Sequence, residues 1–359
     1  MNILVGLSGG VDSSVVAALL VEQGHSVAGI TMEIYGGDSS TPVTGTNACY
    51  GPDEVEDVES AAQICQQLGI RHHVVDLKQE YSTVILDYFK TEYRLGRTPN
   101  PCVRCNSRMK FGLMLERARQ SGIIFDKFAT GHYARVSQDE ASGLYELKRA
   151  ADQKKDQTYF LCKLTQSQLT EVLFPLAGFT KNEVRTHARR LGLLTHDKPD
   201  SQDFAAGDYQ SIIGDAGAPG PLMHENGTAL GTHQGITRYT IGQRKGLGIA
   251  AGTPLYVTRI DAKNNMVYVS NDEQGLLHSV VVADDMHWIS TITAQSGTPV
   301  QARIRHSQIP AEATIESATG NNLQIRFAQP QRAITPGQIL ALYSGDTVLG
   351  GATIVEARD

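Results

Sequence analysis

The sequence predicts an α/β protein whose first part is a parallel sheet flanked by helices. A small mixed or β-rich central module and a carboxyl-terminal β-barrel follow. Three observations carry this expectation. Apolar strand-like runs alternate with helix-length periodic segments up to about Gly207. The pattern then breaks at the turn-rich connection Gly217-Ala218-Pro219-Gly220-Pro221. From about Val280, short alternating segments recur with turn residues between them. A chain of 359 residues has room for two or three domains at about 100–200 residues each, and we expect boundaries that give residues 1–207, 208–278 and 279–359.

Residues 2–7 (NILVGL) read as a short strand covered on both faces. The turn Ser8-Gly9-Gly10-Val11-Asp12-Ser13-Ser14 follows, and residues 15–23 read as a helix closed by Gly24. Residues 25–32 are the next strand. Residues 53–68 have helical periodicity, an acidic first turn and Gly69 as a stop signal. Residues 72–77 give a third strand, residues 111–120 a helix, and residues 125–130 a further strand. In the central module, residues 255–260 and 266–270 read as strands, and residues 240–248 (TIGQRKGLG) as a Gly-rich basic loop. The barrel strands are expected at 300–305, 313–315, 322–327, 339–343 and 347–355.

Composition excludes several classes. At 41% hydrophobic and 19% charged the chain is neither disordered nor low-complexity. Its net charge of −6 excludes a uniformly basic nucleic-acid coat. The longest apolar run, residues 15–21, is too short to span a bilayer, so no membrane association is expected. The amino terminus enters a motif directly, with neither a basic region nor a small-residue cleavage site, which points to a cytoplasmic protein. An odd count of 5 cysteines at uneven spacing argues against a disulfide framework. In a reducing compartment a Cys-x-x-Cys pair suits metal binding or catalysis better.

The turn at residues 8–14 carries the chemistry. A strand, a glycine pair and a helix start direct free backbone N–H groups and a positive helix end at one point, which suits a phosphate. Ser8, Ser13 and Ser14 add hydroxyl donors, and Asp12 is expected either to cap the helix or to help hold Mg²⁺. A Walker A lysine is absent, which favours a loop that grips pyrophosphate as a leaving group.

SGGVDSS resembles the pyrophosphatase loop (PP-loop) of ATP-dependent adenylating enzymes. Further motifs narrow the match: TPNPCVRCN at 98–106, ATGHY at 129–133, KDQTYFL at 155–161, DSQD at 200–203 and YTIGQRKGLG at 239–248. Together they resemble the MnmA-type tRNA-specific 2-thiouridylases over nearly the whole chain. The resemblance implies a PP-loop ATP pyrophosphatase fold and tRNA as substrate. It also implies ATP-dependent exchange of the C2 oxygen of the wobble uridine for sulfur. By it, Gly6, Leu7, Ser8, Gly9, Gly10, Val11, Asp12, Ser13, Met32 and Gly131 border ATP. Cys105 is the first catalytic cysteine. Asn100, Pro101 and Cys102 occupy the base-contacting triplet, whose third place often holds Asp in the family. Lys155, Asp156 and Gln157 match a segment that touches tRNA.

One departure matters. The family places a second cysteine, the persulfide carrier, just after Ser-Gln-Asp, and here the chain reads Asp203-Phe204-Ala205-Ala206. Cys49, Cys102 and Cys105 are expected in loops, and three arrangements then stay open for them: a three-thiolate 4Fe–4S cluster with one open iron, Cys102 taking the persulfide role, or a structural zinc site. The cluster is favoured. The sulfur donor is expected to be a persulfide carrier or free sulfide. Cys65 and Cys162 sit in apolar contexts and read as core.

For the RNA, Lys90, Arg94, Arg97, Arg104, Arg108, Lys110, Arg117 and Arg119 surround the cysteine pair, with only Glu92 and Glu116 between them. This reads as a phosphate-binding face, lowering the thiol pKa as well. Arg303 and Arg305 alternate with Ile304, share one face, and are read as a further tRNA contact. Two rival functions remain: a PP-loop ligase acting on a small molecule, and a non-catalytic tRNA-binding relative.

Overall fold

The computed structural model describes residues 1–37, 48–199, 203–205, 209–249, 252–290 and 295–359. They gather into two compact units. One comprises residues 1–85, 102–209 and 346–348, the other 86–101, 210–345 and 349–359.

In the first unit the strands are β1 (Asn2–Gly6), β2 (Ser26–Glu33), β3 (Ala48–Tyr50), β4 (Arg71–Asp76), β5 (Lys127–Ala129), β6 (Ala134–Gln138), β7 (Tyr145–Arg149), β8 (Val172–Leu173) and β9 (Asp203–Ala205). Its helices are α1 (Val11–Glu22), α2 (Glu54–Leu68), α3 (Lys78–Tyr81), α6 (Met114–Gln120), α7 (Thr158–Leu161), α8 (Gln166–Glu171) and α9 (Lys181–Arg190), while α4 (Asp87–Arg94) lies in the second unit and α5 (Pro101–Arg104) bridges the boundary in sequence. The main sheet is parallel, in the order β4-β2-β1-β5-β8. Ile3, Leu4 and Val5 of β1 are fully buried, as a central strand covered on both faces requires. Helix α1 is apolar nearly all round, and its Val15, Val16, Ala17, Ala18 and Leu20 pack in one cluster with Val184 and Ala188 of α9. β1 has β2 on one side and β5 on the other, so the chain reverses direction across the sheet between β1 and β5. Ligands of open α/β sheets bind outside the carboxyl ends of strands at such a switch.

Three local expectations are corrected. α1 begins at Val11 rather than residue 15, because the helix starts directly on the glycine pair. Cys102 and Cys105 are not in a loop. Pro101 opens α5, with its fixed φ suited to a first helical turn, and a π-helical stretch, Cys105–Leu113, runs from it into α6. The wider register leaves carbonyls without their usual partners, and Gln168 Nε2 donates to Ser107 O at 2.8 Å and Phe111 O at 3.0 Å. Cys49 is likewise in a strand: β3 pairs in parallel with β9, Ala48 opposite Asp203 and Tyr50 opposite Ala205.

In the second unit, β10 (Gly220–His224), β11 (Ala229–His233), β12 (Tyr256–Asp261) and β13 (Met266–Ser270) form a mixed sheet, order β11-β10-β13-β12. β14 (Leu277–Trp288), β15 (Pro299–Arg303), β16 (Ala311–Thr319), β17 (Asn322–Arg332), β18 (Ile339–Ser344) and β19 (Thr347–Arg358) follow. They are antiparallel in the order β14-β17-β16-β15-β18-β19, and β14 also pairs with β19, which closes the barrel. Alternating residues fill its interior, Leu323, Ile325 and Phe327 on β17 among them.

Candidate functional site

The carboxyl end of β1 turns sharply into α1. Gly9 has φ +68°, and a Cβ there would lie 2.6 Å from the carbonyl oxygen of Asp57, so the turn accepts only glycine. Gly10 is the extended cap residue, with φ −94° and ψ 167°. Ser14 N donates to Gly10 O at 3.3 Å. The amides of Val11, Asp12 and Ser13 precede it in the first helical turn, where intrahelical partners do not exist. Ser13 Oγ accepts from Ser8 N at 3.3 Å, lies 3.4 Å from Ser8 Oγ and donates to Gly10 O at 3.2 Å, which orders both hydroxyls beside the turn. Gly131, just past β5, is as close: a Cβ there would sit 2.8 Å from Ser13 N. Met32 is half-buried near the end of β2. Residues 6–13, Met32 and Gly131 thus lie at the carboxyl edge of the sheet, where backbone donors of the first helical turn are left without intrahelical partners.

Asp12 does not cap α1; no side chain caps it. Its carboxylate instead accepts from Lys181 Nζ, 2.7 Å from each oxygen, and from the Tyr133 hydroxyl at 3.0 Å. Neither partner was anticipated. Tyr133 lies within the ATGHY motif, whereas Lys181 lies between the capping residues Thr180 and Glu183, a signal that marks a helix start and says nothing of what lies beside it.

The thiols come next. Cys105 is half-buried, and desolvation raises its thiol from 9.0 to about 11 against a lowering influence of Lys110, with Cys49 adding to the rise. The expected lowering by surrounding cations is therefore overturned: burial outweighs them, and Arg104 turns away to donate its Nε–H to Val84 O at 2.8 Å. Cys49 is exposed and Cys102 intermediate. All three surround Tyr81, whose buried hydroxyl is held well above 10.0 by burial first, then by Cys105, Cys49, Cys102 and Tyr50. Tyr81 stacks on Tyr50 at 5.5 Å, and Tyr50 on Phe204 at 6.3 Å. Yet among the described residues no group of three or more His, Cys, Asp or Glu could hold a metal ion. As placed, Cys49, Cys102 and Cys105 are not gathered into a metal-ligand set. Cys65 and Cys162 are core residues, as expected, with thiols raised by burial to about 11 and about 12.

The π-helical stretch links the thiol to the carboxyl edge of the sheet. Phe111 packs 5.5 Å from Phe128 of β5 and 5.7 Å from His132. Burial, and then Lys110, hold His132 neutral, well below 6.5. Lys110 therefore acts on both Cys105 and the residue next to Gly131.

Other expected residues are placed differently. Asp156 is buried and accepts from the Thr158 hydroxyl at 2.9 Å, so it braces the unit rather than facing solvent; Gln157 Oε1 accepts from Tyr133 N at 2.9 Å, and Gln157 and Lys155 are half-buried. Arg303 is buried, with its guanidinium 5.3 Å from the Tyr343 ring, and Arg305 donates to Ala333 O, so they do not form an exposed basic face. The strand ends at Arg303, which breaks the expected alternation. The basic stretch is partly neutralised too: Arg97 pairs with Glu92, Arg117 with Glu80 and Arg119 with Glu171, while Arg94, Arg104 and Arg108 are exposed. Asn100 is half-buried and Pro101 buried. Of the DSQD motif, residues 200–202 lie outside the described residues.

Residues 1–205 match the family model described as the tRNA methyl transferase HUP domain, residues 210–271 the tRNA methyl transferase PRC-barrel domain, and residues 278–354 the aminomethyltransferase β-barrel domain. The tRNA-specific 2-thiouridylase MnmA of Endomicrobium trichonymphae is 46% identical over 358 residues, covering 99% of each chain. That of Heliobacterium modesticaldum is 43% identical over 367 residues, covering 100% of this chain and 93% of that one. That of Acetivibrio thermocellus is 43% identical over 360 residues, covering 98% of this chain and 99% of the other. With a glycine-paired turn at the switch point of a parallel sheet and paired thiols on the helix beside it, the chain belongs to the MnmA family of tRNA-specific 2-thiouridylases.

Proposed function

We propose that the chain is an ATP-dependent tRNA-uridine 2-sulfurtransferase acting on the wobble uridine in the cytoplasm. The single observation that carries the reading is that the π-helical stretch bearing Cys105 packs its Phe111 against Phe128 of β5 and against His132, the neighbour of Gly131, which supports sulfur chemistry beside the phosphate turn within one compact unit.

The carbonyl oxygen at C2 is a poor leaving group. It attacks the α-phosphorus of ATP, the bond to the β-phosphate breaks, and pyrophosphate departs into the turn of Gly9 and Gly10. The amides of Val11, Asp12 and Ser13, with the hydroxyls of Ser8 and Ser13, stabilise the charge where it develops. Mg²⁺, which binds phosphates with one or two carboxylates, suits Asp12 and would screen the phosphates. A sulfur nucleophile then adds at C2, and AMP leaves with the former oxygen. Cys105 and Cys102 are the thiols we assign to that delivery. Cys102 takes the outer sulfur of a persulfide carrier, which leaves as its thiol, and that sulfur adds at C2 as AMP departs. Cys105 then attacks the Cys102 sulfur, which releases 2-thiouridine and leaves a Cys102–Cys105 disulfide that a thiol reductant resets; free sulfide, already at the thiol level, adds to C2 directly. The Cys105 proton must be removed on the way, since its pKa of about 11 keeps it a thiol at neutral pH. We read the chain as three modules, residues 1–207, 208–278 and 279–359, the last two seating tRNA, with Asn100, Arg104 and Lys155 as contacts on the RNA side. Methyl transfer, named in the description of two matching models, has no use for a loop shaped to hold pyrophosphate.

The test supplies purified protein with Mg²⁺, ATP, unmodified tRNA and radiolabelled sulfide. The expected result is labelled 2-thiouridine with AMP and pyrophosphate in equal amounts. AMP formed without tRNA would point to a small-molecule ligase, and tRNA binding without turnover to a non-catalytic relative; either would overturn the proposal.

A further inference from the structure

Residues 97–100 join α4 to α5 in neither helix nor strand, and the second residue of α5 is Cys102. This stretch has little means of holding itself in place. Pro99 and Pro101 carry no N–H, and each biases the residue before it, Thr98 or Asn100, toward extended backbone. Its carbonyls still need donors.

The second unit supplies them. Gln338 Nε2 donates to Thr98 O at 3.1 Å and to Pro99 O at 3.4 Å. Thr98 N donates to Pro336 O at 2.8 Å, and Thr98 Oγ1 to Thr240 Oγ1 at 3.2 Å. Gly337 makes room for this approach: at φ +90°, a Cβ there would lie 3.0 Å from the Arg97 Cβ and from Thr98 N. Just upstream, Gly96 follows α4 at φ +72°, and a Cβ there would lie 2.8 Å from Cγ2 of Ile260 on β12. Thr240, Ile260 and residues 336–338 all belong to the same compact unit as residues 86–101.

The holding groups are themselves fixed. Gln338 N donates to Thr335 O at 3.2 Å and Gln338 O accepts from Ile354 N at 2.8 Å, which ties its backbone into the barrel just before β18. Thr240 N donates to Gln243 Oε1 at 3.0 Å, and Gln243 N donates to Thr240 O at 3.0 Å, so the TIGQ turn closes on itself. The barrel core is filled by apolar side chains such as Ile334, Leu340 and Leu342. The half-buried Gln338 amide therefore serves the proline segment rather than the core.

We infer that Gln338 and Thr240 are positioning residues for the sulfur-transfer reaction: by holding Thr98 and Pro99 they set where Asn100 lies and where the chain enters α5 ahead of Cys102. The TIGQ turn thus has a task besides any contact with RNA. The inference rests on the proposed function, in which Asn100 and Cys102 both act. Misplacing a reacting group by about 1 Å can cost roughly 100-fold in rate, and loss of the amide does so without removing a group that touches substrate.

The test compares the full chain in wild type, Gln338→Glu, Gln338→Met, Thr240→Val and Thr240→Ser. Gln338→Glu keeps the shape but turns a donor into an acceptor facing two carbonyls. Alkylation of Cys102, followed in its own tryptic peptide without ATP or tRNA, should change several-fold in both Gln338 variants and match wild type in Thr240→Ser, with Cys162 in the core unchanged. In turnover, kcat for 2-thiouridine should fall roughly 10-fold or more in both Gln338 variants, less in Thr240→Val and not in Thr240→Ser, while the KM for ATP stays within about two-fold of wild type. Unchanged Cys102 alkylation, unchanged kcat, or a rise in the ATP KM matching the loss would each overturn the inference, the last by making the contacts a general support of the fold. Absence of 2-thiouridine from wild type would overturn the proposed function instead, and Cys102 alkylation would still decide whether the contacts hold the helix start. If neither Gln338 variant folds, Thr240→Val against Thr240→Ser decides by the same two readouts.

Discussion

Cys105 offers the sharpest test, because its environment runs opposite to what its basic neighbours suggest. Burial raises the thiol from 9.0 to about 11. At pH 8 that leaves roughly 100-fold less thiolate than an unshifted thiol would have. A more basic thiolate is also a better nucleophile, and a Brønsted slope of about 0.4–0.5 returns close to tenfold. Alkylation of Cys105 at pH 8 should therefore be about tenfold slower than in the denatured chain, before any steric hindrance. The shape of the profile is more telling than the absolute rate. The rate should climb about tenfold per pH unit until close to 11, whereas an ordinary thiol levels off near 9. Trypsin cuts after Arg104, so Cys102 and Cys105 fall in different peptides and can be followed separately by mass spectrometry. Lys110 opposes the rise, so Lys110→Met should move the inflection still higher and slow the reaction at fixed pH. A Cys105 profile that levels off at or below pH 9 would refute the reasoning, and with it the claim that desolvation outweighs the nearby cations.

Gly9→Ala puts a Cβ 2.6 Å from the Asp57 carbonyl at a left-handed φ, so we expect a loss of about 1–3 kcal/mol in a urea melt and failure to bind ATP. Cys65, Cys105 and Cys162 all have thiols raised by folding, to about 11, 11 and 12. The unfolded chain therefore loses these protons first; the stabilisation is present below about pH 9 and is lost as pH rises through 11–12, which a urea midpoint falling from pH 8 to pH 10.5, and falling less in Cys162→Ala, will show. Arg303→Ala should destabilise the barrel by about 1–3 kcal/mol while leaving the salt dependence of tRNA binding unchanged; a flatter salt slope would restore Arg303 as a phosphate contact. Arg104→Ala, by contrast, removes an exposed cation and should reduce that slope by about one.

Most of the framework was legible because it depends on local pattern. The run at residues 2–7, the glycine-paired turn and the acidic start of α2 each specify their structure from adjacent residues, and β16 and β17 of the barrel alternate as their sequence does. What escaped depends on partners far away in the chain. β8 is two residues long and exists because β5 offers an edge. β3 is a strand through pairing with β9, across a separation no periodicity can report. The basic stretch read as a uniform field because Glu80 and Glu171, which neutralise Arg117 and Arg119, lie outside it. Arg303 read as exposed because arginine usually is; the chain at the end of β15 instead buries Ala302, Arg303 and Ile304 in succession. The site divides in the same way: the phosphate turn was visible as a motif, whereas Lys181 and the desolvation of Cys105 arise from packing.

Those two hidden features have a common consequence. Asp12 and Lys181 neutralise each other beside the phosphate turn, and Cys105 carries its proton inside the unit. Each group has the chemistry the proposed reaction needs, and each is held in its less reactive form. For the thiol this is an advantage. A cysteine ionised at neutral pH beside a solvent-accessible pocket would react with any passing electrophile or oxidant, since susceptibility follows thiolate character and exposure. A thiol that ionises only when its surroundings change is spared that loss. The electrophile at C2 is created by adenylation, so charge at sulfur has no use before ATP and uridine are both in place. Lys110, which already acts on both Cys105 and His132, is the cation best placed to couple the two. On this reasoning Lys110→Met should slow the sulfur step while leaving AMP-forming adenylation of bound tRNA nearly intact, a separation that single-turnover measurement of AMP and 2-thiouridine resolves. Equal slowing of both products would break the link between the cation and the thiol.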